Sequence, residues 1–313
     1  MKWTDADIPD QSGRTVLITG ANSGLGLRSA QVLAHKGARV LLACRSPERG
    51  QEALHSVQRF AKTEPALVRL DLADLASVRA AAAEVRELTG DALDVLMNNA
   101  GLMATPKGLT TDGFELQFGT NHLGHAALTW LLMPALRGGE DARVVTMSSL
   151  AAIGGHIDFA DPNFEHRRYL PNVAYGQSKI ANQVFALELD RRLRAAGERV
   201  ISVAAHPGYT ATNLNASMAR SYPNPVLRAV IAGVTTAGDF LIGQDVKMGA
   251  LSQLYASTMP GVNGGDYVGP GQFFQMRGTP AVVQPLKLAL DHEAGVALWE
   301  LTAKLTGITP DPA

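Results

Sequence analysis

The sequence predicts a single α/β domain built on a doubly wound parallel sheet. Three observations carry that prediction. Short apolar, β-branched runs alternate with helix-patterned segments from Arg14 to Ala205, the order expected of parallel strands joined by crossover helices. A glycine-rich segment, Gly20 to Gly26, joins the first strand to the first helix. Hydrophobic residues are 46% and charged residues 18% of 313, so a well-buried core is available and disorder is not expected.

The first strand runs from Arg14 to Thr19 and ends at a glycine, as a buried strand does. Gly24 to Lys36 follows as a helix bearing Leu25, Leu27, Ala30, Val32, Leu33 and Ala34, stopped by Gly37. A second strand spans Arg39 to Ala43 and completes one βαβ unit. The alternation continues through a helix at Glu48 to Ala61 and a strand at Ala66 to Leu70. A helix from Asp74 to Leu88 is opened by an Asp cap and stopped by Gly90, and a strand follows at Leu93 to Met97. A long helical stretch is expected from Gly113 to Leu136 and a strand from Arg143 to Met147. An irregular loop, Leu150 to Pro171, precedes a long helix at Asn172 to Ala196 and a sixth strand at Val200 to Ala205. Beyond His206 the chain is rich in Pro, Gly and short helical patterns, with one short strand near Asp266 to Val268.

Net charge is −1, which lacks the basic footprint of a nucleic-acid binder. Cys44 is the one cysteine, so no internal disulfide can form, and a reducing, cytoplasmic location fits. Met1 to Arg14 is polar and acidic and does not read as a signal peptide. Val226 to Gly243 is the most apolar long stretch. Arg228, Asp239 and glycines interrupt it, so it reads as a buried or pocket-lining helix rather than a membrane span; an interfacial helix admitting an apolar substrate is the alternative.

Gly20, Gly24 and Gly26, with Asn22, Ser23 and Leu25 between them, follow a strand and open a helix. Glycines there let the backbone approach a pyrophosphate, and the helix N-terminus offers it free N–H groups. A P-loop is excluded because no Gly-Lys-Ser/Thr follows. The second strand ends Ala43-Cys44-Arg45-Ser46. The acid that bonds a ribose 2′-hydroxyl in NAD sites is missing, and the guanidinium of Arg45 suits a 2′-phosphate. NADP(H) is therefore favoured over NAD(H). Tyr175 and Lys179 stand one helical turn apart on one face. A free phenol has a pKa of about 10; a neighbouring ammonium and an oxidised nicotinamide favour phenolate and would bring it into catalytic range. Lys179 can also bond the nicotinamide ribose. Ser148 and Ser149, at the end of the fifth strand, offer a hydroxyl for a substrate oxygen.

These residues together resemble the short-chain dehydrogenase/reductase family. The matches are the Thr19 to Gly26 segment, Asp71-Leu72, Asn98-Asn99-Ala100-Gly101, Asn121, Ser148-Ser149, Tyr175-x-x-x-Lys179 and Pro207-Gly208 with Thr212, in family order. Leu42-Ala-Cys-Arg45 and Tyr175-Gly-Gln-Ser-Lys179-Ile-Ala-Asn182 are similar to its retinol-dehydrogenase-like and WW-domain-oxidoreductase-like branch. The resemblance implies a Rossmann fold in one domain, residues 1–313, with a cofactor-binding core at about 14–208 and a substrate-side cap at about 209–280. It implies that Asp71 and Leu72 meet the adenine, that Asn99, Ala100 and Gly101 line the cofactor ribose, and that Asn121 holds a water in a proton relay. Pro207, Gly208 and Thr212 would meet the nicotinamide carboxamide. Of the two serines the family pattern selects Ser149. A homo-oligomer formed through the helices carrying Asn121 and Tyr175 is implied as well.

The function expected is hydride transfer between NADP(H) and an alcohol or carbonyl substrate, with Tyr175 as general acid/base and Asn121, Ser149 and Lys179 beside it. Tyr222, Phe240, Leu241, Ile242 and Tyr255 suggest an apolar pocket wall within Tyr209 to Gly271. A nucleotide-sensing or scaffold protein on the same fold is the alternative. A Ser-His-Asp hydrolase is disfavoured, since no G-x-S-x-G surrounds either serine. The eight histidines show no metal-ligand spacing.

Overall fold

The computed structural model describes residues 3–210, 222, 224 and 243–313. Its centre is an eight-stranded sheet in the order β3-β2-β1-β4-β5-β6-β7-β8, made of β1 (Thr15–Thr19), β2 (Arg39–Cys44), β3 (Ala66–Arg69), β4 (Val95–Asn98), β5 (Arg143–Met147), β6 (Ile201–Ala205), β7 (Tyr267–Gln272) and β8 (Arg277–Val283). The first seven strands pair in parallel and β8 pairs antiparallel to β7. Helices cover both faces, so the central strands are apolar in unbroken runs; Val16, Ile18, Leu96 and Val144 are fully buried. Chain order reverses between β1 and β4, and the carboxyl ends of those two strands open the crevice where such sheets take ligands.

Local signals set the helix ends. The helices α1 (Gly24–His35), α2 (Pro47–Gln58) and α3 (Leu75–Thr89) follow the first three strands. Asp74 caps α3 through the N–H groups of Ala76 and Ser77, and Gly90 ends it in the left-handed conformation. The stretch expected as one helix over 113–136 is three pieces: the short turn α4 (Leu116–Phe118), a π-turn at Gly119–Leu123, and α5 (Gly124–Gly138). The buried Glu115 carboxylate accepts from the N–H groups of Gln117 and Phe118 and so starts the helical path at 116. At Gly124 a Cβ would stand 2.4 Å from the Leu72 carbonyl oxygen, so the helix packs on the third strand's exit only because that residue is glycine.

The long α6 (Pro171–Ala195) follows β5, and α7 (Val246–Thr258) lies against α1, where Gln253 donates to the Leu25 carbonyl and the Ser29 hydroxyl. Of the segment expected as a cap, α7 packs on the core and β7 and β8 belong to the sheet. The strand β8 lay outside the sequence expectation because Gly278 and Pro280 interrupt it; an edge strand tolerates both. The chain closes with α8 (Lys287–Leu290) and α9 (His292–Thr306). Trp299 of α9 stacks on Phe185 of α6 with centroids 5.5 Å apart and meets Trp130 of α5 edge-on at 4.9 Å, so both helices are covered on that side. Among the described residues no helix is long and apolar enough to cross a membrane. Val226 to Ile242 lie outside the described residues.

Candidate active site

A cleft of about 310 Å³ opens at the carboxyl ends of the strands. Gly20, Asn22, Ser23, Gly24, Leu25 and Gly26 form one wall. Gly20 and Gly24 have φ of +66° and +56°, which glycine adopts without strain. A Cβ at Gly24 would meet nothing within 4 Å, whereas one at Gly26 would stand 2.5 Å from Asn99 Nδ2 and 2.6 Å from the Gly20 carbonyl oxygen. The loop is thus folded tightly on itself and faces an open cleft, with the N-terminus of α1 behind it. That is a cradle a dinucleotide pyrophosphate fits.

On the flank, Arg45, Ser46 and Arg49 line the cleft from the end of β2 and the first turn of α2. Ser46 caps α2, accepting from the Arg49 N–H at 3.3 Å, and this cap places Arg49 on the same side as Arg45. The sequence reading named Arg45 alone; a Ser-Pro cap followed by an arginine is the signal for the second cation. Asp71 and Leu72 line the cleft after β3, and Asn99, Ala100 and Gly101 after β4. Asn99 Nδ2 donates to the Thr19 carbonyl at 2.7 Å, and the N–H groups of Asn99 and Ala100 both donate to the Thr19 hydroxyl at 2.9 Å. These bonds fix the exit of β4 against that of β1.

Tyr175 and Lys179 line the cleft and are 7% and 4% exposed. Burial pushes the Tyr175 phenol above its ordinary value, and a hydrogen bond with the Ser149 hydroxyl works against that rise. Burial pushes the Lys179 ammonium down to about 8. Lys179 Nζ donates to the Met147 carbonyl at 3.0 Å and lies 5.9 Å from the centre of the Tyr175 ring. The expected depression of the phenol by Lys179 is therefore not present in the protein alone, because desolvation dominates.

The two serines separate by geometry. Ser148 lines the cleft and donates its hydroxyl to the Lys179 carbonyl at 2.8 Å. Ser149 accepts from the Ala151 N–H at 3.2 Å and meets Tyr175. Asn121 is fully buried on the π-turn. Its Oδ1 accepts from the Leu102 N–H at 2.7 Å and its Nδ2 donates to the Leu102 carbonyl and to the Ser178 hydroxyl, each at 2.9 Å. A Cβ on Gly101 would lie 3.3 Å from Asn121 Oδ1 and 3.5 Å from Lys179 Nζ, so the glycine leaves room for both.

Pro207 lines the cleft, while Gly208 stands behind it and donates its N–H to His206 Nδ1 at 3.3 Å. Thr212 lies outside the described residues, as do Phe240, Leu241 and Ile242. Tyr222 donates to the Ala104 carbonyl at 2.9 Å. The loop between Ser149 and Tyr175 does not line the cleft. Gln177, two residues beyond Tyr175, clamps it by donating to the Pro162 carbonyl and accepting from Arg167, and Asp161 gathers the N–H groups of Glu165, His166 and Arg167. No cluster able to hold a metal ion exists among the described residues.

The family model described as short chain dehydrogenase matches residues 14–223. Retinol dehydrogenase 13 of Homo sapiens is 36% identical over 309 residues, covering 97% of this chain and 86% of that protein. Polyprenol dehydrogenase of Mus musculus is 39% identical over 308 residues, 96% of this chain and 86% of that one. The crystal structure of an uncharacterized protein from Mycobacterium paratuberculosis superposes with a TM-score of 0.80 at 42% identity, covering 98% of each chain. L-sorbose reductase from Gluconobacter frateurii, solved with NADPH and L-sorbose, shares the fold at a TM-score of 0.63 and 21% identity, over 82% of this chain and 95% of that one.

Proposed function

The chain belongs to the short-chain dehydrogenase family, in its retinol-dehydrogenase-like branch, and from that premise we propose that it is an NADP(H)-dependent alcohol dehydrogenase/carbonyl reductase of apolar substrates. The observation that carries the reading is that Tyr175 and Lys179 line the cleft the glycine cradle opens, with the Tyr175 phenol hydrogen-bonded to the Ser149 hydroxyl. The nicotinamide, when bound, supplies or accepts the hydride. The chain's own residues do the rest. Gly20 to Gly26 would hold the pyrophosphate, Arg45 and Arg49 the 2′-phosphate, Asp71 and Leu72 the adenine, and Asn99, Ala100 and Gly101 the ribose. Pro207, Gly208 and Thr212 would border the carboxamide. Ser149 would orient the substrate oxygen and Tyr175 give it a proton. Lys179 would carry positive charge to the cofactor ribose, and Asn121 would hold the wall at Leu102 and a relay water. Retinol and polyprenol, in the names of two relatives, are apolar alcohols and support an apolar substrate. The single cysteine is buried, its thiol pushed up to about 11 by desolvation, which leaves it a poor nucleophile.

The shifts at Tyr175 and Lys179 set the test. The raised phenol stays protonated at neutral pH, the form reduction needs, and Lys179 keeps its charge only below about 8. Following NADPH absorbance with a panel of aldehydes and ketones, kcat/KM for reduction is expected to fall as pH rises through about 8. Alcohol oxidation draws on the same Lys179 charge, so its loss through about 8 should offset the gain from deprotonating the raised phenol. The absence of any NADPH oxidation across the panel, or a reduction profile flat through this range, rejects the reading.

An oligomer through the helices of Asn121 and Tyr175 would have to displace α9, whose Trp299 fills that side against Phe185 and Trp130. We therefore assign α9 as a cover held in cis. Light scattering is expected to show one chain's mass, and deletion of residues 287–313 to produce self-association. Unchanged size after that deletion would contradict the assignment.

A further inference from the structure

One buried ring joins the cradle to the catalytic turn. His125 lies on the first turn of α5, is 1% exposed and lines no part of the cleft. Its Nδ1 is 2.8 Å from the Asn121 carbonyl oxygen, and its Nε2 is 2.9 Å from the Thr19 hydroxyl. The carbonyl can only accept, so the proton sits on Nδ1. Burial, joined by the charge of Lys179, pushes the ring down to about 4, so it is neutral and Nε2 is bare. The Thr19 hydroxyl must then donate to Nε2. It has one proton, and its other acceptor, the Met97 carbonyl, is farther away at 3.3 Å. Its lone pairs remain for the N–H groups of Asn99 and Ala100. Every donor and acceptor in this chain of bonds is used once and in one direction.

Both ends matter to the site. Asn99 and Ala100 are cleft wall. At the other end the Asn121 amide grips Leu102 and donates to the Ser178 hydroxyl, which itself donates to the Tyr175 carbonyl at 2.8 Å. A helical path interrupted by a π-turn has more than one way to settle, and a bond to the Asn121 carbonyl from outside the backbone ladder selects among them.

We propose that His125 is a positioning residue: as a neutral imidazole protonated on Nδ1, it ties the Asn121 carbonyl on the π-turn to Thr19 at the end of β1 and so sets the place of Asn121 relative to Tyr175. The proposal rests on the reductase reading for its kinetic consequence but not for its geometry. It acts through Asn121 and touches neither substrate nor cofactor.

Two isosteres separate the ends of the bridge. Asn at 125 keeps an N–H where Nδ1 stands but cannot reach Thr19. Gln keeps an acceptor where Nε2 stands but offers no donor to Asn121. His125→Gln is expected to lower kcat about tenfold, the worth of one well-placed buried hydrogen bond. NADPH affinity by fluorescence titration should stay within about twofold, because Thr19 retains both backbone N–H groups whichever way its proton turns. His125→Asn, which cuts the Thr19 end, is expected to lower kcat to a similar degree, because the bridge holds only with both ends made. Wild-type kcat in either variant overturns the proposal, and an unchanged NADPH affinity in both excludes a simple folding defect. The second readout needs no turnover. In the full-length protein labelled with 15N-histidine, the His125 resonances, assigned by their loss in His125→Phe, should report protonated Nδ1 and bare Nε2 at neutral pH. Protonated Nε2 or a charged ring there overturns it. If no carbonyl compound is reduced by the wild type, the reductase reading fails while this spectrum still decides the bridge.

Discussion

Tyr175→Phe is expected to lower kcat by about 10² to 10⁴, the usual contribution of a positioned general acid, with NADPH affinity unchanged within a few-fold. The phenol lines the cleft and is hydrogen-bonded to the Ser149 hydroxyl. Phe keeps the ring, and at 7% exposure the ring fills space that would otherwise be a cavity, so the fold and the cleft wall persist. Only the proton and its path to the substrate oxygen are removed. Ser149→Ala is a useful partner, because it leaves the proton donor in place and removes one hydrogen bond that orients it. The expected ranking is a severe loss for the Tyr variant and a smaller one for the Ser variant. Steady-state kinetics with NADPH and an aldehyde, beside a cofactor titration, checks both. Wild-type turnover in Tyr175→Phe would remove the phenol from the mechanism.

The second large effect is on cofactor choice. Arg45→Ala with Arg49→Ala is expected to weaken NADPH by about 100-fold or more while NADH changes about twofold at most, since each charge-assisted bond to a phosphate contributes roughly 1.5–3 kcal/mol in favourable geometry. Both side chains are solvent-exposed, so the loss should shrink as salt rises. The two act from adjacent positions, one on the strand end and one on the first turn of α2, and each single variant should show part of the loss. Lysine at 45 keeps charge but not the planar fork and is expected to fall between arginine and alanine. Equal losses for NADPH and NADH would assign the pair to general electrostatics instead of 2′-phosphate recognition.

The alternation of strand and helix was legible because parallel strands buried on both faces must be apolar throughout, while their crossover helices show a helical period. Asp74 and Gly90 marked helix ends by chemistry that acts within a few residues. The same locality explains what was missed. The edge strand β8 carries Gly278 and Pro280, which read as breakers until a neighbouring strand supplies its pairing. The helical stretch over 113–136 could not reveal its π-turn, because that turn is held by Leu102, Ser178 and His125, residues outside the turn itself.

The candidate site divides along the same line. Sequence by itself determined the cradle at Gly20 to Gly26, Arg45 after the second strand and the one-turn spacing of Tyr175 and Lys179, since each is a short-range pattern with its own physical reason. Tertiary structure alone decided that Arg49 lines the cleft beside Arg45 and that α9 covers α5 and α6. It also decided that Lys179 is held near 8 and Tyr175 raised, and that His125 bridges Thr19 to Asn121. Burial, and the pairing of groups some hundred residues apart, exist only once the sheet has brought the strand ends together.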